Sequence, residues 1–140
     1  MTSKQYLLDT NVLIEFLDGT PSVVKHVFGV GLHNCCISVI TLHELYYGAY
    51  LAKERKEEYF EKEIEKINKL LEKFTVLELS ALGKEYGFVK YNLKSKGEMI
   101  DDFDLVIAGQ AISENLIVVT DNTKHFNRIT GLSIVNWMER

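Results

Sequence analysis

The sequence predicts an α/β protein, a three-layer sandwich in which helices cover both faces of a central, mainly parallel, five-stranded sheet. Five short runs rich in β-branched, leucine or aromatic residues alternate with segments whose apolar residues repeat at helical spacing. Such alternation favours a parallel sheet with helical crossovers. A single proline, Pro21, and the absence of glycine clusters or repeats give no sign of a linker, so we predict one domain over residues 1–140.

The predicted strands cover residues 5–9, 36–40, 75–79, 116–120 and 133–137. A helix before the third strand is predicted by apolar residues at helical spacing in a Glu- and Lys-rich background, namely Phe60, Ile64, Ile67, Leu71 and Phe74. A second helix, before the fourth strand, is predicted by Leu82, Tyr86, Val89 and Leu93, with Ser80 as its cap. Both apolar stripes should face a core or a partner.

Composition and charge narrow the class of protein. Hydrophobic residues make up 46% and charged residues 26%, as in an ordinary globular domain. No apolar run approaches the roughly 18 residues of a membrane helix, and the N-terminus lacks a secretory signal, so we expect a cytoplasmic protein. Cys35 and Cys36 are adjacent, which disfavours a disulfide and indicates two reduced core thiols. The net charge of −4 offers no overall attraction for nucleic acid, which would need a local basic patch or bound cations.

Acidic residues lie where strands and helices are predicted to meet. Asp9 ends the first strand, Glu44 follows the second, Asp104 begins the helix before the fourth strand, and Asp121 ends that strand. In an open parallel sheet, binding sites form at the carboxyl ends of strands where the strand order reverses. Several carboxylates gathered there repel one another unless a hard cation such as Mg²⁺ or Mn²⁺ offsets their charge. Such an ion supports phosphodiester hydrolysis.

Each acid also has a purely structural interpretation. Thr41 and Glu44 match a capping box, in which Thr41 caps a helix and Glu44 binds back to the cap. Asp9 and Asp121 could cap the helices that follow them, as could Asp101 or Asp102 before Asp104. Taken singly, none of these acids indicates a function. Their combination favours a shared metal site.

Four ordered blocks of the sequence resemble the PIN-domain ribonucleases, and most closely the VapC-type toxins of toxin–antitoxin pairs. The blocks are residues 7–14, which contain Asp9, residues 38–48, which contain Glu44, residues 104–111, which begin with Asp104, and residues 118–126. Residues 131–137 are similar to the usual ending of the family. The resemblance covers nearly the whole chain and implies a PIN-like fold and a metal-dependent endoribonuclease.

The resemblance also implies roles for individual residues. Asp9, Glu44 and Asp104 match the three acids with which the family binds Mg²⁺ or Mn²⁺, and Asn11 is expected to hold the carboxylate of Asp9. Thr120 is expected to orient the nucleophilic water or to hydrogen-bond the site. The family's fourth acidic position falls on Asn122, with Asp121 beside it as the candidate for the missing charge. The sequence leaves open which of these two completes the site.

Partners are implied in the same way. VapC-type toxins cut RNA, form homodimers and are inhibited by a small VapB-like antitoxin whose apolar helix lies in a groove and whose basic side chain enters the acidic site. Helices over residues 45–74 could form that groove with four aromatic residues, namely Tyr46, Tyr47, Tyr50 and Phe60. Packing in the core explains these aromatic residues equally well. His43 is expected at the surface. Three basic residues at the end of the fourth block and just beyond it either contact RNA phosphate or are simply solvated, namely Lys124, His125 and Arg128.

Three other functions remain compatible with the residues alone. A receiver-like phosphoacceptor domain also places acids at strand ends, although the block around Glu44 and the closing Trp137 fit it poorly. A catalytically silent PIN-like module that only binds RNA would follow if Asn122 disables the site. A PIN nuclease of RNA maturation would share all the same residues and differ in biological role.

Overall fold

A computed structural model describes residues 5–79 and 83–138. Five strands form one sheet in the order β3-β2-β1-β4-β5, and every neighbouring pair is parallel. The strands are β1 (Tyr6–Leu8), β2 (Cys35–Ser38), β3 (Thr75–Leu77), β4 (Ile117–Val119) and β5 (Ser133–Val135). The predicted α/β class and the five-stranded sheet are confirmed.

Helices fill the connections between the strands. They are α1 (Thr10–Leu17), α2 (Pro21–Val30), α3 (Val39–Arg55), α4 (Glu57–Lys73), α5 (Lys84–Lys96), α6 (Asp102–Glu114) and α7 (Thr123–Phe126). A short 3-10 turn, Leu32–Asn34, precedes β2. No helix in the described part of the chain has the length and apolar character needed to span a membrane.

The sheet separates two hydrophobic cores, which makes the molecule three layers thick. Successive side chains of β1 point to opposite faces, so that Leu7 enters one core and Leu8 the other. The first core joins the sheet to α5, α6 and α7 through Leu93, Leu105, Ala108 and Phe126. The second joins it to α1, α2 and α4 through Leu13, Phe16, Val23, Val27 and Leu70. The cysteines fit this arrangement, since Cys35 and Cys36 are buried free thiols, one in each core.

The second strand ends two residues earlier than the sequence predicted. Ser38 is the N-cap of α3, and its hydroxyl accepts a hydrogen bond of 3.1 Å from the amide of Ile40. Val39 and Ile40 are therefore helical, although their β-branched side chains favour strands. The predicted capping box is wrong for the same reason, because Thr41 is a buried residue inside α3 and not its cap.

The two predicted apolar helices are present as α4 and α5. In α4 the buried stripe runs through Ile67 and Leu70, whereas the predicted Leu71 is 41% exposed. In α5, Val89 and Leu93 are buried as predicted. The helix begins at Lys84 with Gly83 at its N-cap, and the predicted cap Ser80 and stripe residue Leu82 lie outside the described residues.

Candidate active site

The strand order reverses beside β1, and this reversal creates a crevice at the carboxyl edge of the sheet. From β1 the chain continues to β2 and β3 on one side and later returns to β4 and β5 on the other. The connection that follows β1 and the connection that follows β4 therefore pass over opposite faces of the sheet, and a crevice opens between these two strands. Asp9 follows β1 directly and Thr120 follows β4 directly, so both lie at this edge. The amide of Asp9 donates to the carbonyl of Val119 at 2.9 Å, which holds the two strand ends together.

Asp9 is 5% exposed, and both its carboxylate oxygens accept a hydrogen bond. Oδ1 accepts from the amide of Thr10 at 2.8 Å, and Oδ2 accepts from the Thr120 hydroxyl at 2.9 Å. Burial raises the pKa of Asp9, while these two hydrogen bonds oppose the rise. Asp9 is also the N-cap of α1, which confirms its structural interpretation and leaves its carboxylate at the crevice. Asn11 is exposed, and the anchoring expected of it comes from the two threonines.

Glu44 lies in the second turn of α3. Thr10, the first residue of α1, connects it to Asp9. Oε1 of Glu44 accepts a hydrogen bond of 2.8 Å from the hydroxyl of Thr10, the residue that follows Asp9. Burial raises the pKa of Glu44, the Thr10 hydrogen bond opposes the rise, and the negative charges of Asp9 and Asp101 add to it. The electrostatic coupling and the shared threonine place Glu44 in the same crevice as Asp9.

Asp104, in the first turn of α6, has the most strongly perturbed carboxyl of the three. Burial raises its pKa to about 7, and the charges of Asp9, Asp101 and Glu44 contribute to the rise. The three predicted acids thus share one region of negative potential. Among the described residues, no lysine or arginine forms an ion pair with any of them. Nor do any three Asp, Glu, His or Cys side chains of that part of the chain already converge as a ligand set for one metal ion.

Asp101 is a fourth acid of this region, and the sequence predicted it only as a possible helix cap. It occupies the N-cap position of α6 but makes no side-chain capping hydrogen bond, and its charge raises the pKa of both Glu44 and Asp104. Its neighbour Asp102 behaves differently, because its carboxylate is 3.0 Å from the Lys90 ammonium at the surface.

The segment after β4 holds the remaining predicted residues. Thr120 is fully buried, and its hydroxyl accepts a hydrogen bond of 2.9 Å from the amide of Asn122. The side-chain amide of Asn122 lies 2.9 Å from Nδ1 of His125. Asp121 does not cap α7, whose N-cap is Asn122, and its Oδ1 accepts a hydrogen bond of 3.1 Å from the side-chain amide of Asn136.

Of the basic residues near the site, Arg128 is bonded to other residues of the chain, and Lys124 and His43 are exposed. Arg128 lies 4.0 Å from the carboxylate of Glu98 and donates to the carbonyls of Glu98 and Met99, so it braces the loop before α6. Lys124 is exposed. His43 is exposed, as predicted, and its Nδ1 lies 2.7 Å from the Val39 carbonyl.

The chemistry of these side chains fits a hard divalent cation. Asp9, Glu44 and Asp104 supply carboxylate oxygens, the ligands that Mg²⁺ and Mn²⁺ prefer, and no cysteine lies among them to favour a softer metal. Burial is the largest cause of their raised pKa values, and the charges of neighbouring acids add to the rise for Glu44 and Asp104. A bound cation would compensate the negative charge of these acids.

Comparison with known proteins establishes the family. The family sequence model described as "PIN domain" matches residues 6–132 of the chain. The chain belongs to the PIN-domain family. The chain is 35% identical over 135 residues to "Ribonuclease VapC2" from Haemophilus influenzae, covering 96% of this chain and 98% of that protein. It is 34% identical to "tRNA(fMet)-specific endonuclease VapC" from Shigella flexneri, covering 95% and 98% respectively.

Solved structures of PIN-domain proteins agree with this assignment. The VapBC2 complex from Rickettsia felis, bound to a DNA fragment from its promoter, contains a chain with a TM-score of 0.86 and 32% identity, covering 95% of this chain and 98% of that chain. FitAcB from Neisseria gonorrhoeae gives a TM-score of 0.84 and 27% identity, covering 95% and 98% respectively. The resemblance read from the four sequence blocks is confirmed, and the receiver-like alternative is set aside.

Proposed function

We propose that this PIN-domain protein is a metal-dependent endoribonuclease, the toxin of a type II toxin–antitoxin pair. One observation carries the chemistry: Asp9, Glu44 and Asp104 share a single crevice at the strand-order reversal and lack a cationic partner among the described residues. The identity to VapC ribonucleases over nearly the whole chain supports RNA as the substrate. The VapBC and FitAB complexes among its structural neighbours support a VapB-like antitoxin as the partner.

Asp9, Glu44 and Asp104 would hold the Mg²⁺ or Mn²⁺ ion. When bound, such an ion stabilises the charge that develops on a phosphodiester and makes a water molecule more acidic. The chain's own residues orient the carboxylates: Thr120 and the Thr10 amide fix Asp9, and the Thr10 hydroxyl fixes Glu44. The N-termini of α1 and α6 lie at the same edge and favour a phosphate there. Attack by water predicts products with a 3′-hydroxyl and a 5′-phosphate, and a 2′,3′-cyclic phosphate in mass spectrometry would contradict this mechanism.

The decisive test is cleavage of a mixed pool of structured RNA by the purified protein with Mg²⁺, with Mn²⁺ or with a chelator. We expect metal-dependent cleavage that Asp9→Asn abolishes, because the amide cannot supply an anionic ligand. Asp18→Asn is the matched control, since Asp18 is an exposed residue at the other end of α1. Full activity of a folded Asp9→Asn protein would contradict the proposal. Inactivity of the wild type, free of antitoxin, would favour the silent RNA-binding module.

Transfer RNA is the first substrate class to test within that pool. The Shigella relative is named for cleavage of tRNA(fMet), and it covers nearly the whole of this chain. We therefore expect the initiator tRNA to be cut before bulk RNA. Uniform cleavage of all RNAs would indicate that this chain selects its target differently, and genomic context would then distinguish a toxin from a nuclease of RNA maturation.

The antitoxin site we propose is a groove that runs from the acidic crevice between α1, α3 and α4. Its lining is mixed, because apolar residues lie beside Thr10 and Glu44 and four further charged residues complete it. The lining residues are Thr10, Ile14, Leu17, Asp18, Glu44, Leu45, Gly48, Ala52, Arg55, Glu63, Lys66 and Ile67. This pattern fits an apolar helix that carries a basic side chain toward Glu44. The aromatic residues expected to line it lie elsewhere: Tyr47 and Tyr50 are 66% and 59% exposed, and the Tyr50 ring packs on Phe60 at 4.9 Å.

Three further expectations stay predictions. Completion of the metal site by Asp121 or Asn122 requires comparison of variants in the RNA cleavage assay. A homodimer, expected from the family resemblance, requires light scattering of the purified protein at high concentration, where a monomer would contradict it. The cytoplasmic location is tested by fractionation of cells that express the protein.

A further inference from the structure

Thr10 contacts both of the acids that the proposed mechanism needs from β1 and α3. Its amide donates to Asp9 at 2.8 Å, and its hydroxyl lies 2.8 Å from Oε1 of Glu44. No other residue of the described chain is hydrogen-bonded to both carboxylates. Thr10 is the first residue of α1, whereas Glu44 belongs to α3, so a single side chain joins two separate elements at the site.

The Thr10 hydroxyl has a second neighbour, the hydroxyl of Thr41. The hydroxyl oxygen of Thr41 lies 3.2 Å from that of Thr10, and Thr41 is fully buried. An ionised carboxylate only accepts hydrogen bonds, so the single proton of Thr10 goes to Glu44, and Thr41 donates to Thr10. Thr41 and Glu44 are three residues apart and therefore share one face of α3. The result is a directed chain of hydrogen bonds from Thr41 through Thr10 to Glu44.

This chain opposes the repulsion between the acids. The charges of Asp9 and Asp101 act against an ionised Glu44, and a half-buried glutamate with three rotatable bonds could otherwise turn into solvent. Threonine is β-branched and has only two favoured side-chain rotamers in a helix, and the hydrogen bond to Glu44 fits one of them. Because the hydrogen bond occupies Oε1, it leaves Oε2 of Glu44 free to bind a cation.

We propose that Thr10 is a positioning residue that holds Glu44 beside Asp9 and thereby sets the affinity of the site for its divalent ion. This inference rests on the proposed metal-dependent function. It assigns Thr10 no contact with RNA or with the reacting atoms. Partners that orient metal ligands contribute about 10- to 100-fold to metal affinity, and we expect that range for the Thr10 hydroxyl.

The experiment measures Mn²⁺ binding to the free protein by calorimetry for the wild type, Thr10→Val and Thr10→Ser. Thr10→Val should weaken Mn²⁺ binding about 10- to 100-fold, because it removes the hydroxyl but keeps the shape and the backbone amide. Thr10→Ser keeps the hydroxyl and should restore binding to near the wild-type value. If Thr10→Val does not fold, Thr10→Ala replaces it, with thermal unfolding as the check.

A matched control is available on the neighbouring helix. The Thr20 hydroxyl donates to the carboxylate of Glu15 from the N-cap of α2, outside the acidic crevice. Thr20→Val removes the same kind of hydrogen bond and should lower thermal stability without changing Mn²⁺ affinity. Cleavage provides a second readout: Thr10→Val should raise the Mg²⁺ concentration for half-maximal rate, while the rate at saturating Mg²⁺ stays within about threefold.

The outcomes separate this inference from the proposed function. If the wild type binds Mn²⁺ and cuts RNA but Thr10→Val behaves like Thr20→Val, the positioning role is wrong and the nuclease stands. If Thr10→Ser is as impaired as Thr10→Val, the hydroxyl is not the group that acts, and the inference fails. If the wild type neither binds Mn²⁺ nor cuts RNA, both proposals are overturned.

Discussion

At the scale of single residues, the site is a set of carboxylates held in place by neutral donors. Threonine hydroxyls and a backbone amide bind Asp9 and Glu44, where a lysine or arginine would have neutralised their charge. Neutral donors orient an anion and leave it negative, so the charge remains available for a cation. As a consequence, these acids are harder to ionise, and the pKa of Asp104 is raised the most.

The first prediction concerns the pH dependence of stability without metal. The pKa of Asp104 is about 7 in the folded protein and 3.8 ordinarily, so between these values the folded state binds more protons than the unfolded chain. The free energy of unfolding therefore falls as pH rises from about 4 to about 7. Because Asp104 is only partly buried and is partly screened by solvent, we expect a loss of about 1–2 kcal/mol.

Urea unfolding in chelator at pH 5, 6, 7 and 8 measures this loss against Asp104→Asn. The variant should be more stable than the wild type at pH 8, and the difference should disappear near pH 5. Added Mg²⁺ should stabilise the wild type at pH 8 and have little effect on the variant. Parallel pH profiles for the two proteins would mean that Asp104 does not carry the charge penalty.

The second prediction concerns the residue that completes the site. Asp121 already accepts a hydrogen bond from Asn136, which an asparagine at position 121 could also accept through its side-chain oxygen. Asp9, Asp101 and Glu44 are the charges that raise the pKa of Asp104. We therefore expect Asp121→Asn to lose less cleavage activity than Asp104→Asn, by at least about tenfold in rate. Equal losses in the RNA cleavage assay would make Asp121 a full member of the site.

At the scale of elements, a buried polar pair fixes the helices that carry two of the acids. The Ser38 hydroxyl donates to Oε1 of Gln110, which joins the start of α3 to the middle of α6. The Gln110 amide donates to the carbonyls of Leu77 and Glu78 at the end of β3. Since Glu44 is on α3 and Asp104 is on α6, this pair sets their separation from outside the crevice.

The third prediction tests this pair with Gln110→Leu. The change leaves the buried Ser38 hydroxyl without an acceptor and two carbonyls without a donor, at a cost of about 1–3 kcal/mol. Urea unfolding should show a lower midpoint with an unchanged slope. Ser113→Ala, at an exposed position of the same helix, should stay within about 0.5 kcal/mol of the wild type. A Gln110→Leu protein as stable as the wild type would show that water satisfies these groups.

The comparison of sequence with structure shows what local pattern can and cannot predict. The grouping of Asp9, Glu44 and Asp104 at one edge was predictable, because Asp9 follows β1, Glu44 lies early in α3 and Asp104 lies in the first turn of α6. The contact between Thr10 and Glu44 was not, because it depends on how α1 meets α3 across 34 positions of the chain. The end of β2 was mispredicted because Val39 and Ile40 favour strands locally, while the cap by Ser38 and the packing of α3 make them helical.

At the scale of the whole molecule, the proposed antitoxin groove and the acidic crevice form one continuous surface. Glu44 belongs to both, while the groove floor continues over α3 to Ala52 and Ile67. A helix seated in the groove would therefore cover the approach to the acids as well. Inhibition and binding would then be the same event, without any change in the shape of the sheet.

The fourth prediction fills the groove at Gly48. A side chain there meets no atom within 4 Å of its Cβ, so Gly48→Leu should leave the fold intact and occupy the space intended for the antitoxin helix. We expect affinity for the cognate VapB-like antitoxin to fall by about tenfold or more, measured by calorimetry. Gly87→Leu is the matched control, an exposed glycine of α5 with equally open surroundings. Unchanged affinity in a folded Gly48→Leu protein would place the antitoxin elsewhere.

The central position of β1 also determines when the site comes into existence. The hydroxyl that fixes Oδ2 of Asp9 lies 111 positions later in the chain, and Asp104 lies shortly before that hydroxyl. A nascent chain that has not yet delivered α6 and β4 has neither the third acid nor the neighbouring strand. A chain of this design therefore has its complete set of acids only after both α6 and β4 have been synthesised.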